Sequence, residues 1–266
     1  MKTVHILATV RKPELLPAAL LVFRTLRTGF PTAKVCVWGN SLDSAGFASV
    51  ATDCAKVNAH FQNLAPTSHD AWIESLIEES TEPFWICDTD IVFWTTVEKW
   101  FETNGEVTYA GRYEPEFHEE WTKTRHMERL HTCLMWINPG AVRAALRAWM
   151  AKIPPPWGRS ADFPFIRQHF VPLRNELPLF YDTCAGLYHA HQGTPFSIEQ
   201  DAAFDHLHCS TYLDLIGNNL SANNFVEAHQ WVYQNHQVAR GAKTQQDVYY
   251  AKQQLPPLAV RNKGRK

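Results

Sequence analysis

The chain has 266 residues, enough to bury one sizeable core, alone or with an appended lobe. Its formal net charge of −2 and pI near 6.7 give no global electrostatic reason to bind nucleic acid, and no apolar run approaches the length of a membrane span. The basic start (Lys2, His5, Arg11, Lys12) lacks the apolar stretch of a secretory signal, and the six cysteines include no Cys-x-x-Cys pair, so a reduced, cytoplasmic setting is expected.

Taken in order, Thr3–Val10 reads as a buried first strand, with Arg11 at its end, where it can reach a ligand. Leu16, Leu20, Phe23 and Leu26 fall at helical spacing and predict a helix over 14–28, stopped by Gly29 and Pro31. Ala33–Trp38 is a second strand, so the first forty residues form a βαβ unit and the sheet is expected to be parallel. A short helix and a short strand fill 43–64. Thr67-Ser68-His69-Asp70 fits a capping box, opening a helix that buries Trp72, Ile73, Leu76 and Ile77.

That helix feeds a strand, Phe84–Cys87, apolar throughout and therefore buried on both faces. The strand stops at Asp88-Thr89-Asp90 and the apolar run resumes as Ile91–Trp94. Open α/β sheets place their ligands at such strand ends. Two carboxylates this close repel each other unless a cation shares them, and Mg²⁺ or Mn²⁺ suits oxygen donors. A strand end closed by an Asx-turn, with both acids solvated, is the plainer reading of the same residues.

Val107–Arg112 is a further strand, and 114–129, polar, aromatic and charged, reads as a flexible loop or lid. Leu130–Asn138 is a strand that turns at Pro139-Gly140 into an amphipathic helix carrying Val142, Leu146, Trp149 and Ile153. Pro154–Gly158 is the best boundary in the chain. It divides a first half, 1–153, from a second, 154–255, and 256–266 is a loose tail, locally basic from Arg261. Ser197–Gln200 is a second capping box, opening a helix that runs from Glu199 to Leu207. Asn223–Tyr233 reads as a late strand holding His229.

The order of these parts resembles a glycosyltransferase of the GT-A fold. Pro83–Phe93 is similar to that superfamily's apolar run with Asp-x-Asp followed by Ile/Val-Val-Phe. Leu134–Asn138 resembles the strand that lines the donor sugar in glycogenin-like members. Glu199–Asp205 resembles their Asp-Gln-Asp segment, and Glu227–Trp231 resembles the late element whose histidine completes the metal site. The resemblance implies an α/β domain with a mostly parallel sheet flanked by helices and a smaller acceptor-side lobe. The first half would bind the nucleotide sugar and the second would serve the acceptor.

It further implies Mn²⁺ or Mg²⁺ and a nucleoside-diphosphate sugar, UDP-linked, as donor. Asp90 would hold the metal, Asp88 the metal or the donor ribose, and His229 would be the third ligand, with His206 and His208 as competitors. Thr89, Asn138, Arg11 and Asp70 would contact the donor; Asp201 or Glu199 would act as general base or acceptor clamp, although first-turn acids also suit a helix dipole. After His229 the chain departs from the glycogenin pattern, reading Val232-Tyr233-Gln234-Asn235 in place of Lys-Pro-Trp. The acceptor stays open among carbohydrate, lipid, protein and modified nucleic acid. Two other readings of Asp-x-Asp are a haloacid-dehalogenase-like phosphatase and a non-catalytic nucleotide-binding protein of the same fold.

Overall fold

The structure, a computed structural model, describes residues 2–10, 16–101, 107–119, 123–152, 165–174 and 176–206. The fold is α/β, built on a seven-stranded and mostly parallel sheet. Strand β1 (Thr3–Thr9) pairs in parallel with β2 (Lys34–Asn40), which pairs in parallel with β3 (His60–Leu64). On its other side β1 pairs in parallel with β4 (Phe84–Cys87). After the short β5 (Ile91–Phe93), the chain adds β6 (Tyr109–Glu114) to the same sheet.

Between β4 and β6 runs the one strand that opposes its neighbours, β9 (Arg129–Ile137). Alternate residues of these strands point to opposite faces and fill two core layers. One holds Val4, Ile6, Val37, Trp85 and Trp136; the other holds Leu7, Phe84, Ile86, Met135 and Ile137. Both faces are covered, which is why the strands carry near-continuous apolar runs.

The helices differ in how local their causes are. α1 (Leu16–Ala19), a 3₁₀ turn at Leu21–Arg24 and α2 (Leu26–Gly29) replace the continuous helix expected over 14–28. Two tertiary hydrogen bonds account for the break. Val22 N–H donates to the Thr89 carbonyl (2.8 Å), and Phe93 N–H donates to the Thr25 hydroxyl (3.0 Å). The Val22 N–H, which would have closed a helical turn, is spent on holding the Asp-x-Asp turn, and the Thr25 side chain holds β5 just after it. Gly29 fits the same contact, since a Cβ there would sit 2.5 Å from the Phe93 ring.

α3 (Ser44–Lys56) is capped by Asp43, and α4 (His69–Glu79) by Ser68 and not by Thr67. The described residues of 114–129, expected as a flexible loop or lid, are largely extended strand. They supply β7 (Phe117–Glu119) and β8 (Thr124–His126), which join β10 (His169–Val171) and β11 (Leu179–Tyr181) in a second sheet ordered β10-β11-β8-β7.

α5 (Pro139–Met150) packs beside α4, and α6 (Ala185–Ala190) packs on β9 and α5. Past Pro154–Gly158 the chain returns to the main sheet, where β12 (Thr194–Pro195) extends the β6 edge. The capping box at Ser197 forms, with Ser197 and Gln200 satisfying each other's backbone N–H. The helix it opens, α7 (Ile198–Asp201), is one turn long and does not reach Leu207. The chain instead becomes β13 (Phe204–His206), antiparallel to β5. The five described cysteines are buried free thiols, and among the described residues no helix is long and apolar enough to cross a membrane.

Candidate metal centre

Asp88 and Asp90 sit at the C-terminal end of β4, at the centre of the sheet. The turn between them is held from both sides. Asp88 N–H donates to the Cys133 carbonyl of β9 (2.7 Å), and the Thr89 carbonyl accepts from Val22. Thr89 itself is buried. Antiparallel pairing of β5 with β13 then sets Ile91 opposite His206, which brings the imidazole to the aspartates.

His206 Nε2 lies 3.2 Å from Asp90 Oδ1 and 3.6 Å from Asp88 Oδ2. On the other side of Asp88, His69 Nε2 approaches Oδ1 at 3.7 Å from the first turn of α4, its ring stacked on Trp72. Asp90 and His206 are nearly sealed, with 5% and 6% of their side chains exposed, whereas Asp88 keeps 28%. Burial raises the Asp88 carboxyl above its usual range, against the opposing pull of His69 and His206. For His206, burial alone would lower the pKa, but Asp90 and Cys133 carry it up to about 10.

Two carboxylates and an imidazole, each offering one donor atom within 4.8 Å of the others, fit a divalent cation. A proton that Asp90 holds on His206 would have to leave before such a cation binds. A third imidazole borders the site from β9. The His131 ring lies 5.0 Å from that of His206, and its Nδ1 accepts from the Cys133 N–H (3.0 Å).

Of the other residues singled out from sequence, Asp201 lies just before β13 and pairs with Arg112 of β6 (3.1 Å), whose guanidinium also stacks 4.4 Å over the Phe204 ring. Glu199 is exposed, and its own N–H and the Ser197 hydroxyl hold its carboxyl below the usual range, which is the work of a helix cap. Asp70 resists the rise that burial would cause through hydrogen bonds from Ser68, Gln168 N–H and Ala71 N–H. It ties α4 to the second sheet. Asn138 caps α5 by accepting from Ala141 N–H (3.2 Å). It lies past the end of β9 that pairs with Phe84, while Cys133 pairs at Asp88, so roughly 16 Å of extended strand separates it from the aspartates. The structure does not bring Asn138 to them. Arg11, His208 and His229 lie outside the described residues.

The Thr67–Asp70 helix start is a candidate nucleotide contact from sequence, but His69 within it is not singled out there, nor are His131 and Cys133. Their only signal was position: His69 opens the helix before Asp-x-Asp, and the other two sit in the β9 segment that antiparallel pairing lays beside it.

No protein-family model matches the sequence, and no curated protein matches it. Solved structures do resemble the chain. The bifunctional glycosyltransferase WbbM is 8% identical over 74% of this chain, with a TM-score of 0.46, and the chain spans 38% of WbbM's length. The galactosyltransferase LgtC, in complex with donor and acceptor sugar analogues, is 10% identical over 94% of this chain and 99% of its own, with a TM-score of 0.41. Mouse xyloside xylosyltransferase 1 is 11% identical over 71% of this chain and 80% of its own, at 0.40.

Proposed function

We propose that the chain is a GT-A-type glycosyltransferase that moves a sugar from a nucleoside-diphosphate donor, UDP-linked, to an acceptor hydroxyl with the help of Mn²⁺ or Mg²⁺. The observation that carries this reading is the convergence of Asp88, Asp90 and His206 on one point at the end of the central strand. A cation bound there supplies neutralisation of the diphosphate as it departs.

The chain's own residues do the rest. Asp90, sealed and held by the Val22 bond to its turn and the Thr25 bond to β5 that follows, gives the rigid end of the cation seat. Asp88, with 28% of its side chain exposed, is the carboxylate that an arriving diphosphate would meet first. His69, beside Asp88 at the first turn of α4, offers an imidazole and neighbouring backbone N–H groups to an anionic donor. Asp201 is the candidate for clamping the acceptor hydroxyl, with Arg112 fixing its position.

A thermal-shift panel of nucleotide sugars with and without Mn²⁺ tests the proposal. A true donor at about a hundred times its Kd stabilises the fold by about 2.7 kcal/mol, several degrees in Tm, and only with the cation present. If no nucleotide sugar gives a cation-dependent shift, the reading fails.

A further inference from the structure

Beside the oxygen-rich set lies a second trio of donors for which sugar transfer has no use. His131, Cys133 and His206 offer two imidazole nitrogens and a thiol sulfur, all within 4.8 Å of one another. Three atoms no farther apart than that can all lie within about 2.8 Å of one point (4.8 Å divided by √3). Zinc draws sulfur to about 2.3 Å and nitrogen to about 2.0 Å, so contraction by roughly half an ångström or somewhat more per donor closes the site.

We propose that His131, Cys133 and His206 form a soft-cation site of the kind that takes Zn²⁺, and that it shares His206 with the hard-cation site of Asp88 and Asp90. Cys133 and His206 come from the buried faces of β9 and β13, so strand pairing fixes both donors before any ion arrives. Their donor atoms already lie within 4.8 Å of each other. His131 is half-buried and supplies the third donor from the same strand as Cys133. Coordinating through Nδ1, it gives up the hydrogen bond that it now accepts from the Cys133 N–H.

A neutral imidazole has one lone pair to give, so one cation at a time owns His206. Nitrogen and sulfur donors rank Zn²⁺ far above Mn²⁺. Zinc in the soft site therefore takes a ligand from the hard site and weakens the cation-dependent binding of nucleotide. That consequence rests on the sugar-transfer reading, whereas the soft site does not.

Cobalt(II) is the probe, because its thiolate complexes absorb in the near ultraviolet and its carboxylate complexes do not. Titration of the full, metal-free chain with Co²⁺ is expected to raise a thiolate band that saturates at one equivalent. Cys133→Ser and Cys133→Ala should lose the band, Asp90→Asn should keep it, and His131→Asn, which leaves the buried strand positions intact, should weaken cobalt binding by about tenfold. No band in the folded wild type, or a band that survives both Cys133 substitutions, overturns the site.

The second arm follows bound Mn²⁺ by its paramagnetic resonance while Zn²⁺ is added. Zinc should displace manganese from the wild type and need about tenfold more to do so from Cys133→Ala. Equal displacement in the two overturns the sharing of His206. If Mn²⁺ never binds the wild type, the sugar-transfer site has failed, and the cobalt titration still decides the soft site.

Discussion

The two ends of the central sheet both hold charge in or near the core, and they manage it in opposite ways. At the N-terminal ends of β2 and β3, Arg27 donates to the carbonyls of Val57, Phe30, Ala33 and Asn58 at 2.7–3.1 Å. Glu98, buried, accepts from the Thr32 N–H and hydroxyl, and Arg143 donates to the carbonyls of Ile77 and Ser80 where α4 ends. These charges are tied to backbone that cannot leave. At the C-terminal end of β4, Asp88 and Asp90 face the imidazoles of His69 and His206, side chains on neighbouring elements and not the backbone of their own sheet. The first end is built for stability; at the second, the proposed function has a cation take the place of a proton.

The largest effect expected from breaking this contrast comes from Asp90→Asn. It keeps the volume and removes the charge, and Mn²⁺ affinity should fall on the order of a thousandfold, about 4 kcal/mol, with near-ultraviolet circular dichroism unchanged. A folded variant that binds Mn²⁺ like the wild type would move the cation elsewhere in the chain.

Arg27→Ala tests the opposite end. Four carbonyls lose their donor, so stability should drop by about 3 kcal/mol in urea unfolding while Mn²⁺ affinity stays put. A matching loss of cation affinity would show that the two ends are not separate.

Next comes pH. In the folded, metal-free chain His206 holds its proton up to about pH 10, well above its ordinary 6.5. The ion pair's contribution to stability is thus fully present below 6.5 and is lost as pH rises through about 10, so the Tm of the metal-free chain should fall over that window. A cation must displace the same proton, so Mn²⁺ affinity should tighten by about tenfold per pH unit between about pH 6 and 8. The tightening should vanish in His206→Asn. A flat profile in the wild type would remove His206 from the ligand set.

The smallest effect belongs to Asn138→Ala, which should cost about 1 kcal/mol for the lost α5 cap and leave nucleotide binding unchanged. A selective loss of donor binding would favour the role implied by the resemblance over the position the structure gives it.

Much of the fold was legible because its causes are local. The apolar runs of β1, β4 and β9 announce strands covered on both faces, and Ser197 with Gln200 announces a cap. Asp88 and Asp90 stood out for the same reason, as charge interrupting such a run. His206 was harder, because Ala202 and Ala203 continue a helical pattern past Asp201. What ends the helix is tertiary: Trp94 N–H takes the Ala203 carbonyl and Phe204 buries beside β5. The break over 16–29 is tertiary too, set by hydrogen bonds to the Asp-x-Asp turn. His131 and Cys133 were hidden in an apolar segment whose partner is revealed only by the register of β9 against β4. Asn138 misled by motif, since the resemblance supplied a role and the register supplied a different end of the sheet.

Coupling of nucleotide to cation at Asp88 and Asp90 can be measured directly. Calorimetric titration of UDP into the wild-type chain should show saturable binding with Mn²⁺ and none when EDTA replaces it. UDP binding of equal affinity in the two conditions would contradict the claim that the end of β4 holds a cation for the diphosphate.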